Sequence, residues 1–291
     1  MTEALLEQVI NGLMMGSIYV LVALGMVLIY SVMHVVNFAH GVLFTIGGYL
    51  GHFFYLHFID SYVVATLLSM LSLGLIGILL ERGIFRPLSG NLRNQVIASL
   101  GLILALENLV VALWGPNALQ WRVATTERLV SMGELRFSVH HLGIIVITML
   151  MVALLGLFLK FTRFGTAIRA TSQSLEAAVV VGIPVQRVQW TTFALGSMLA
   201  GIGGSLVGPL FLVFPQMGDA PLIKGLAGIL LGGMGSVPGA VVGGLILGVT
   251  ESVSTLFLPT DYRDSIAFLV MVGILLLRPQ GLFGIRLRGE D

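Results

Sequence analysis

The feature that most constrains this chain is a series of long apolar runs separated by short polar segments. A helix needs about 20 apolar residues to cross the ~30 Å hydrocarbon core of a bilayer. The runs that approach or reach this length are Val9–Ser31, Phe38–Phe58, Val63–Leu80, Val96–Trp114, Leu142–Leu159, Trp190–Val213, Ala240–Leu258 and Ile266–Leu277. A further run, Leu222–Met234, is too short to span untilted. The sequence predicts an all-α polytopic membrane protein, one transmembrane domain over residues 1–291, with about eight full transmembrane helices plus one short or broken helix.

The composition fits a membrane-embedded chain and lacks the motifs of common enzymes. Hydrophobic residues make up 57% of the chain and charged residues 10%, against about 25% charged residues in soluble domains. Without cysteine the chain has no disulfides and no thiolate metal site. It also lacks G-x-x-x-x-G-K-[ST], H-E-x-x-H and G-x-S-x-G motifs, and its histidines have no metal-ligand spacing. We therefore predict a protein that is not an enzyme, binds no cofactor or metal itself, and contacts lipid rather than nucleic acid.

The distribution of Lys and Arg predicts which side of the membrane each loop faces, because cytoplasmic loops carry an excess of both. Ten of the 15 basic residues fall in three segments: Arg82, Arg86 and Arg93; Lys160, Arg163, Arg169 and Arg187; and Arg278, Arg286 and Arg288. Placing these segments inside gives an N-out, C-in arrangement, with the Gly115–His141 loop outside. That loop carries three arginines and fits the pattern least. Since N-out and C-in require an odd number of crossings, Leu222–Met234 is expected to cross rather than turn back.

Glycine is densest in the block Leu226–Gly248. Its centre, Gly-Gly-Met-Gly-Ser-Val-Pro-Gly, cannot remain a regular helix. Broken backbone at membrane depth is tolerated where it lines a cavity or is buried in protein. We interpret Gly232, Gly233 and Gly235 as a break between two half-helices beside a translocation path.

Polar residues inside apolar runs are further candidates for that path, because they are costly in a membrane. Glu107 and Asn108 lie deep in the fourth run, and Glu251 lies in Ala240–Leu258. Each could instead form a hydrogen bond that fixes helix packing. Asn37, His40 and Gly41 lie at the start of the second run. Asn37 could cap a helix that begins at Phe38, or this helix N-terminus could point at an anionic group of a substrate.

The segment Arg163–Val188 is the longest polar break with a helical pattern, and we expect it on the cytoplasmic side. Ser174 is a plausible N-cap, Glu176 falls in the first turn, and Gly182-Ile183-Pro184 should end the helix. A two-turn helix between two membrane spans can bury little of itself. We therefore expect another protein to pack against it, although a basic inner loop with a common E-A-A string would look similar.

Several strings together resemble the branched-chain amino acid permeases of ABC importers, and most closely the shorter, LivH-type subunit. These strings are VVNFAHGVLFTIGGYLG (Val35–Gly51), ERGIFRPL (Glu81–Leu88), RFGTAIRATSQSLEAAVVVGIPVQRV (Arg163–Val188), KGLAGILLGGMGSVPGAVVGGLILGVTES (Lys224–Ser252) and RPQGLFG (Arg278–Gly284). They occur in order over nearly the whole chain, and Gly115–His141 matches least. Glu176-Ala177-Ala178-x3-Gly182 resembles the EAA loop of ABC importer permeases.

The resemblance implies a permease that works by alternating access in the bacterial inner membrane. It implies a homologous LivM-type permease subunit, two ABC ATPase subunits that bind ATP and Mg²⁺, and an extracytoplasmic binding protein that delivers leucine, isoleucine or valine. The EAA-like segment, residues 163–188, would be the coupling loop. Its contact residues would be Glu176, Ala177, Ala178, Gly182, Arg169 and Arg187, with the two alanines as a flat face.

Two other functions stay open from the sequence. The same machinery could carry urea, short amides or other amino acids. Alternatively, the chain could be a stand-alone channel or secondary transporter, which would leave the Arg163–Val188 helix without a partner.

Overall fold

The computed structural model describes residues 2–132 and 135–284 and is almost entirely helical. A single two-stranded antiparallel hairpin accompanies the helices in that part of the chain. The helices and strands in chain order are α1 (Thr2–Met33), α2 (His40–His57), α3 (Tyr62–Leu80), α4 (Leu92–Trp114), α5 (Ala124–Glu127), β1 (Leu129–Met132), β2 (Leu135–Ser138), α6 (Val139–Phe161), α7 (Arg163–Gln173), α8 (Leu175–Val180), α9 (Val185–Val207), α10 (Asp219–Gly232), α11 (Val237–Ser254) and α12 (Arg263–Leu277). A π-helical turn, Glu81–Phe85, extends α3.

Six of these helices, within the described residues, are long and apolar enough to cross a bilayer. They are α1, α3 with its π-helical turn, α4, α6, α9 and α11. The remaining predicted runs form the helices α2, α10 and α12, of 18, 14 and 15 residues. α2 is as long as α11 but less apolar, and α10 and α12 are shorter than any of the six.

The core contains two sets of three packed helices, α1 with α10 and α11, and α9 with α2 and α3, which pack in the same way. In the first set α1 runs antiparallel to α11, with Gly12 beside Val249 and Gly16 beside Leu245. In the second set α9 runs antiparallel to α3, with Gly74 and Gly77 on Met198 and Ser197. Each set also contains a parallel pair, because α10 packs parallel to α1 and α2 packs parallel to α9. Units α1–α3 and α9–α11 thus form an inverted repeat, an arrangement common in transporters.

The two units cross where Gly25 of α1 meets Gly196 of α9. A Cβ added to either glycine would lie 2.8 Å from the carbonyl oxygen of the other. Both glycines end an Ala-Leu-Gly string, Ala23–Gly25 and Ala194–Gly196. Close packing through small residues drives helix association in lipid, since lipid gives no hydrophobic gain between helices. This reciprocal contact places the repeat axis at the centre of the bundle.

Both α2 and α10 begin at that centre rather than at a membrane surface. The His40 ring lies against Gly25, and Gly41 packs under the backbone of Gly218, just before α10.

The predicted end of the helix in the run Trp190–Val213 is wrong. Its helix stops at Val207, because Gly208-Pro209 interrupt it, and the chain folds back into the bundle to start α10 at Asp219.

The bundle has two distinct ends. At the basic end, Arg82 lies 5.4 Å over the ring of Trp190, at the start of α9, and α7 packs beside the end of α1. At the opposite, hairpin end, Leu119 pairs with Val213 and Trp121 packs on Tyr62. The hairpin itself lies in the predicted outer loop Gly115–His141. Two of the three basic segments that were predicted to face the same side of the membrane therefore lie at the same end of the fold. Arg286 and Arg288 of the third segment lie outside the described residues.

Candidate functional site

Four charged side chains from three helices and one tyrosine from a fourth helix form a cluster inside the bundle. Glu251 of α11 is fully buried and accepts a hydrogen bond of 2.8 Å from the Tyr19 hydroxyl of α1. Lys224 of α10 donates to Glu251 and, at 2.7 Å, to Asp264. Arg263 Nε lies 2.6 Å from Glu251 Oε1. Two cations and two carboxylates therefore balance one another at the junction of α1, α10, α11 and α12.

The cluster forms one wall of a cavity of about 370 Å³. The other walls are apolar side chains from α1, the end of α9, the segment that folds back after α9 and the first turn of α10: Met15, Ile18, Val207, Phe211, Leu212, Phe214, Met217, Ala220 and Pro221. Pockets for small ligands have volumes of about 300–1,000 Å³ and combine apolar walls with a few polar groups. The cavity has the size and the chemistry of a small-molecule site.

A second cavity, of about 570 Å³, lies next to it at the hairpin end. Its lining includes polar residues of the outer loop, among them Gln120, Arg122 and Glu127. Phe211, Leu212 and Phe214 line both cavities. The fold-back segment therefore separates a polar vestibule from the charged cavity.

Asn37, His40 and Gly41 lie at the buried start of α2 and line neither of these two cavities. Asn37 Oδ1 accepts a hydrogen bond of 3.1 Å from the amide of Ala39, so Asn37 orders the turn before α2. The helix begins at His40, two residues later than predicted. Because Gly41 packs against the backbone of Gly218, this N-terminus points into protein. The N-cap position of α2 is Ala39, so Asn37 orders the preceding turn and does not cap the helix itself. Asn37 Nδ2 and both ring nitrogens of His40 are buried without a hydrogen-bond partner among the described residues.

Glu107 and Asn108 lie apart from both cavities on α4, a helix with little burial in this chain. Asn108 is exposed and donates a hydrogen bond of 2.7 Å to the Leu104 carbonyl of its own helix. Glu107 is half-buried on the same side. They line neither cavity, and their place on a translocation path stays a prediction.

The glycine-rich block forms a reversal between two antiparallel helices, not a break between two halves of one span. Gly232 ends α10 and packs against Gly239 of α11. Gly233 and Gly235 have φ of +107° and +83°, values that favour glycine. Phe283 donates from its amide to the Gly232 carbonyl at 2.8 Å. The irregular backbone is covered by protein and lines neither of the two cavities described above. Its place beside a translocation path stays a prediction.

The segment Arg163–Val188 contains two helices at the basic end, α7 and α8, where the sequence indicated only the second. Ser174 caps α8 by accepting a hydrogen bond of 3.2 Å from the Ala177 amide, as predicted, and Glu176 lies in the first turn. At the C-terminus the amides of Gly182 and Ile183 bond the carbonyls of Val179 and Ala178 at 3.0 and 2.9 Å. These two hydrogen bonds, together with a φ of +80° at Gly182, form a Schellman motif.

The exposed face of α8 differs from the one predicted. Ala178 is only 2% exposed and faces its own chain, so a flat face of Ala177 and Ala178 is wrong. The apolar side chains that reach solvent are Leu175, Val179, Val180 and Val181. Glu176, Ala177, Gly182, Arg169 and Arg187 are exposed around them. A short helix with exposed valines is a surface that another protein could cover.

Four members of the cluster, Tyr19, Lys224, Arg263 and Asp264, were missed by sequence reasoning. Lys224 carried a usable signal, because it is one of only two lysines and lies in an apolar run. An intramembrane lysine normally needs a carboxylate partner, and Glu251 is the buried carboxylate of the neighbouring helix. Tyr19 gave no such signal. No metal-binding group of three or more candidate ligands occurs within residues 2–132 and 135–284.

An inverted helical repeat with two helices that begin at its centre, and with a charged cavity beside them, defines a multi-pass membrane permease. Residues 8–275 match the family model described as the permease component of branched-chain amino acid transport systems. The chain belongs to this family.

Curated relatives extend the match to nearly full length. The chain is 31% identical to the high-affinity branched-chain amino acid transport system permease protein LivH of Salmonella typhimurium, over 96% of this chain and 95% of that protein. It is 30% identical to LivH of Escherichia coli K12 and 31% identical to BraD of Pseudomonas aeruginosa, with the same coverage. No solved structure matches the chain.

Proposed function

We propose that this chain is the permease subunit of an ATP-driven importer that moves leucine, isoleucine or valine across the bacterial inner membrane. The observation that carries the proposal is the match over 96% of the chain to permeases named for branched-chain amino acid transport. The charged cavity with apolar walls supports it independently, because such a site suits a small polar solute with an apolar part.

The chain in this proposal crosses the membrane nine times, with its N-terminus outside and its C-terminus inside. The six long helices supply six of the crossings. The segments that contain α2, α10 and α12 supply the other three. The basic end, with Arg82, Arg163 and Arg187, then faces the cytoplasm.

Labelling from each side of the membrane tests this topology, because the chain has no native cysteine. Ser236→Cys, in the turn between α10 and α11, should react with a membrane-impermeant maleimide only from the cytoplasmic side. Ser89→Cys is expected to match it, and Ser61→Cys should react from the outside. Labelling of Ser236→Cys from outside would remove the crossing by α10.

We propose that α8 is the coupling helix, which docks on an ATPase subunit. The exposed apolar side chains Val179, Val180 and Val181 support this role, since they have no partner within the described residues that covers them. The homologous second permease, the two ATPases that hold ATP and Mg²⁺, and the external binding protein complete the assembly. ATP binding closes the ATPase pair on the cytoplasmic side and favours one arrangement of the helices, and substrate delivery from outside favours the other. The alternation between the two arrangements is alternating access.

Gly182→Glu tests the coupling helix, and Gly90→Glu is its matched control. Both glycines have positive φ, of +80° and +87°, and a Cβ at either meets nothing within 4 Å. Each substitution therefore carries similar backbone strain, about 1–3 kcal/mol. We expect Gly182→Glu to abolish transport in an assembled complex and Gly90→Glu to retain it. Transport by Gly182→Glu at the rate of the Gly90→Glu control would remove the assignment.

The cargo and the partners are tested by isolating the chain from native membranes with its bound proteins. We expect two ATPases and a second permease to copurify. In proteoliposomes with the binding protein, ATP should drive uptake of labelled leucine and not of urea. Isolation of the chain alone, with gradient-driven uptake, would favour a channel or secondary transporter. Urea uptake would keep the importer and change its cargo.

A further inference from the structure

We propose that the charged cavity is a binding site for the zwitterion of an apolar α-amino acid. Lys224 receives its carboxylate, Asp264 receives its ammonium group, and the apolar walls receive its side chain, while Arg263 and Tyr19 hold Glu251 in place behind them. This inference rests on the proposed function and assigns a substrate-contacting site within it.

The charge balance of the cluster selects a zwitterion. The two cations and two carboxylates already pair with each other, and Glu251 is fully buried. A ligand with net charge would break the Lys224–Asp264 pair and leave one of these two charges without an ion-pair partner. A zwitterion can replace the Lys224–Asp264 pair by two new ion pairs, one with each residue, and the net charge of the occupied site stays at zero. The cluster therefore disfavours both carboxylic acids and amines that lack the second group.

The geometry of Lys224 makes such an exchange possible. Its ammonium group bridges buried Glu251 and Asp264, whose side chain is 61% exposed. The bond to Asp264 is the one that solvent already reaches, so it is the pair that a ligand can replace at least cost. Tyr19 and Arg263 hold Glu251 in place from the other sides. The buried part of the cluster is fixed, and its outer part is available to the ligand.

The remaining walls match an aliphatic side chain. Met15 and Ile18 of α1 face the fold-back residues Leu212 and Met217 across the cavity. Phe211 and Leu212 are half-exposed and also line the polar vestibule. A solute that arrives at the hairpin end passes these two side chains before it reaches Lys224. The apolar walls then favour leucine, isoleucine and valine over small polar amino acids.

The test measures binding directly, apart from transport. The purified permease complex in lipid nanodiscs, without binding protein, is titrated with labelled L-leucine. Unlabelled competitors are L-isoleucine, leucinamide, 4-methylpentanoate and urea. Isoleucine is expected to compete, and the three others, which lack one or both charges, are not. Equal competition by leucinamide or by 4-methylpentanoate would overturn the zwitterion site.

Isosteric variants locate the site. Lys224→Gln and Arg263→Gln should each weaken leucine binding by about 30-fold or more, because each leaves a carboxylate without its partner. Arg86→Gln removes the ion pair with Glu81 at the basic end and is the matched control, with leucine binding expected to stay at the wild-type value. Leu212→Trp leaves the charges in place and narrows the cavity, and it should weaken leucine more than alanine. Wild-type leucine binding in Lys224→Gln would place the site elsewhere.

The uptake assay separates this inference from the proposed function. If the complex imports leucine with ATP and Lys224→Gln imports it with wild-type KM, the function stands and the site is refuted. If the complex imports urea and not leucine, the function itself is refuted. Lys224→Arg checks for misfolding, since it keeps the charge and should restore leucine binding at least in part when Lys224→Gln has lost it.

Discussion

The two inverted units of the bundle share one packing scheme but differ in what their buried glutamates do. Each unit carries the string Gly-Leu-Ile followed by a glutamate five residues later, at Gly74–Glu81 and Gly244–Glu251. Both carboxylates are 0% exposed. Glu81 pairs with Arg86 of its own helical turn, at 2.8 Å. Glu251 instead joins side chains of three other helices.

The difference shows that the repeat supplies the scaffold and that side chains added to one unit supply the site. A pair within one turn, as at Glu81, stabilises only its own helix end. A carboxylate shared by α1, α10 and α12 links helices that come from separate parts of the chain. We expect disturbance of Glu251 to have larger and more distributed effects than the same change at Glu81.

The largest difference in unfolding free energy between the two units is expected when their glutamates are replaced. Glu251→Gln leaves Lys224 and Arg263 with one carboxylate between them, and loss of a partner from a buried pair costs about 3–5 kcal/mol. Glu81→Gln should cost about 1 kcal/mol, because the Arg86 side chain is 30% exposed and water can replace the carboxylate. Thermal unfolding of the two purified variants measures the difference. Equal losses would mean that both glutamates serve only packing.

An intermediate difference in unfolding free energy is expected for the aromatic residues at corresponding places in α1 and α9. Tyr19 lies six residues before Gly25, and Trp190 lies six residues before Gly196. Tyr19→Phe removes a hydrogen bond to a carboxylate, which is worth about 1.5–3 kcal/mol. Trp190→Phe weakens the contact with Arg82, worth about 0.5–1 kcal/mol at an exposed site. A larger loss of unfolding free energy in Trp190→Phe would contradict the assignment of the polar site to the α9–α11 unit with α1.

The smallest contrast should occur where the two units meet. Gly25→Ala and Gly196→Ala each place a Cβ 2.8 Å from a carbonyl oxygen of the other helix, and at Gly25 the Cβ also meets the His40 ring. Overpacking of this kind costs about 1–3 kcal/mol of unfolding free energy, and the loss should be larger at Gly25. Gly101→Ala on α4 is the control, since a Cβ there meets nothing within 4 Å. Its unfolding free energy should stay level or rise by up to about 1 kcal/mol. A larger loss at Gly196 than at Gly25 would contradict this packing.

Much of the local structure followed from the sequence because its causes are local. The cap at Ser174 and the stop at Gly182 depend on residues within one turn of each other, and both predictions are confirmed. The long apolar runs mark helices reliably, since backbone groups in lipid must be bonded within the segment. The exact ends were less secure, as at Val207, because a run such as Trp190–Val213 stays apolar after the helix has stopped.

The assignment of polar residues to a site was less successful, since it depends on which helix faces are buried. Glu107 and Glu251 look alike in sequence, each a carboxylate in an apolar run. One lies half-buried on a peripheral helix, and the other lies fully buried among three partners. The burial of a helix face is set by neighbouring helices, and the run itself does not encode it.

The sequence by itself determined that this chain is a membrane-embedded helical bundle with breaks at defined glycines and a short capped helix at its basic end. Hydropathy, glycine conformation and capping act over a few residues, so they can be recognised in any stretch of the chain. Only the tertiary structure decided where the candidate site lies. Tyr19 and Glu251 are 232 residues apart, and their meeting with Lys224 depends on the antiparallel packing of α1 on α11 and the return of the chain to the bundle centre before α10.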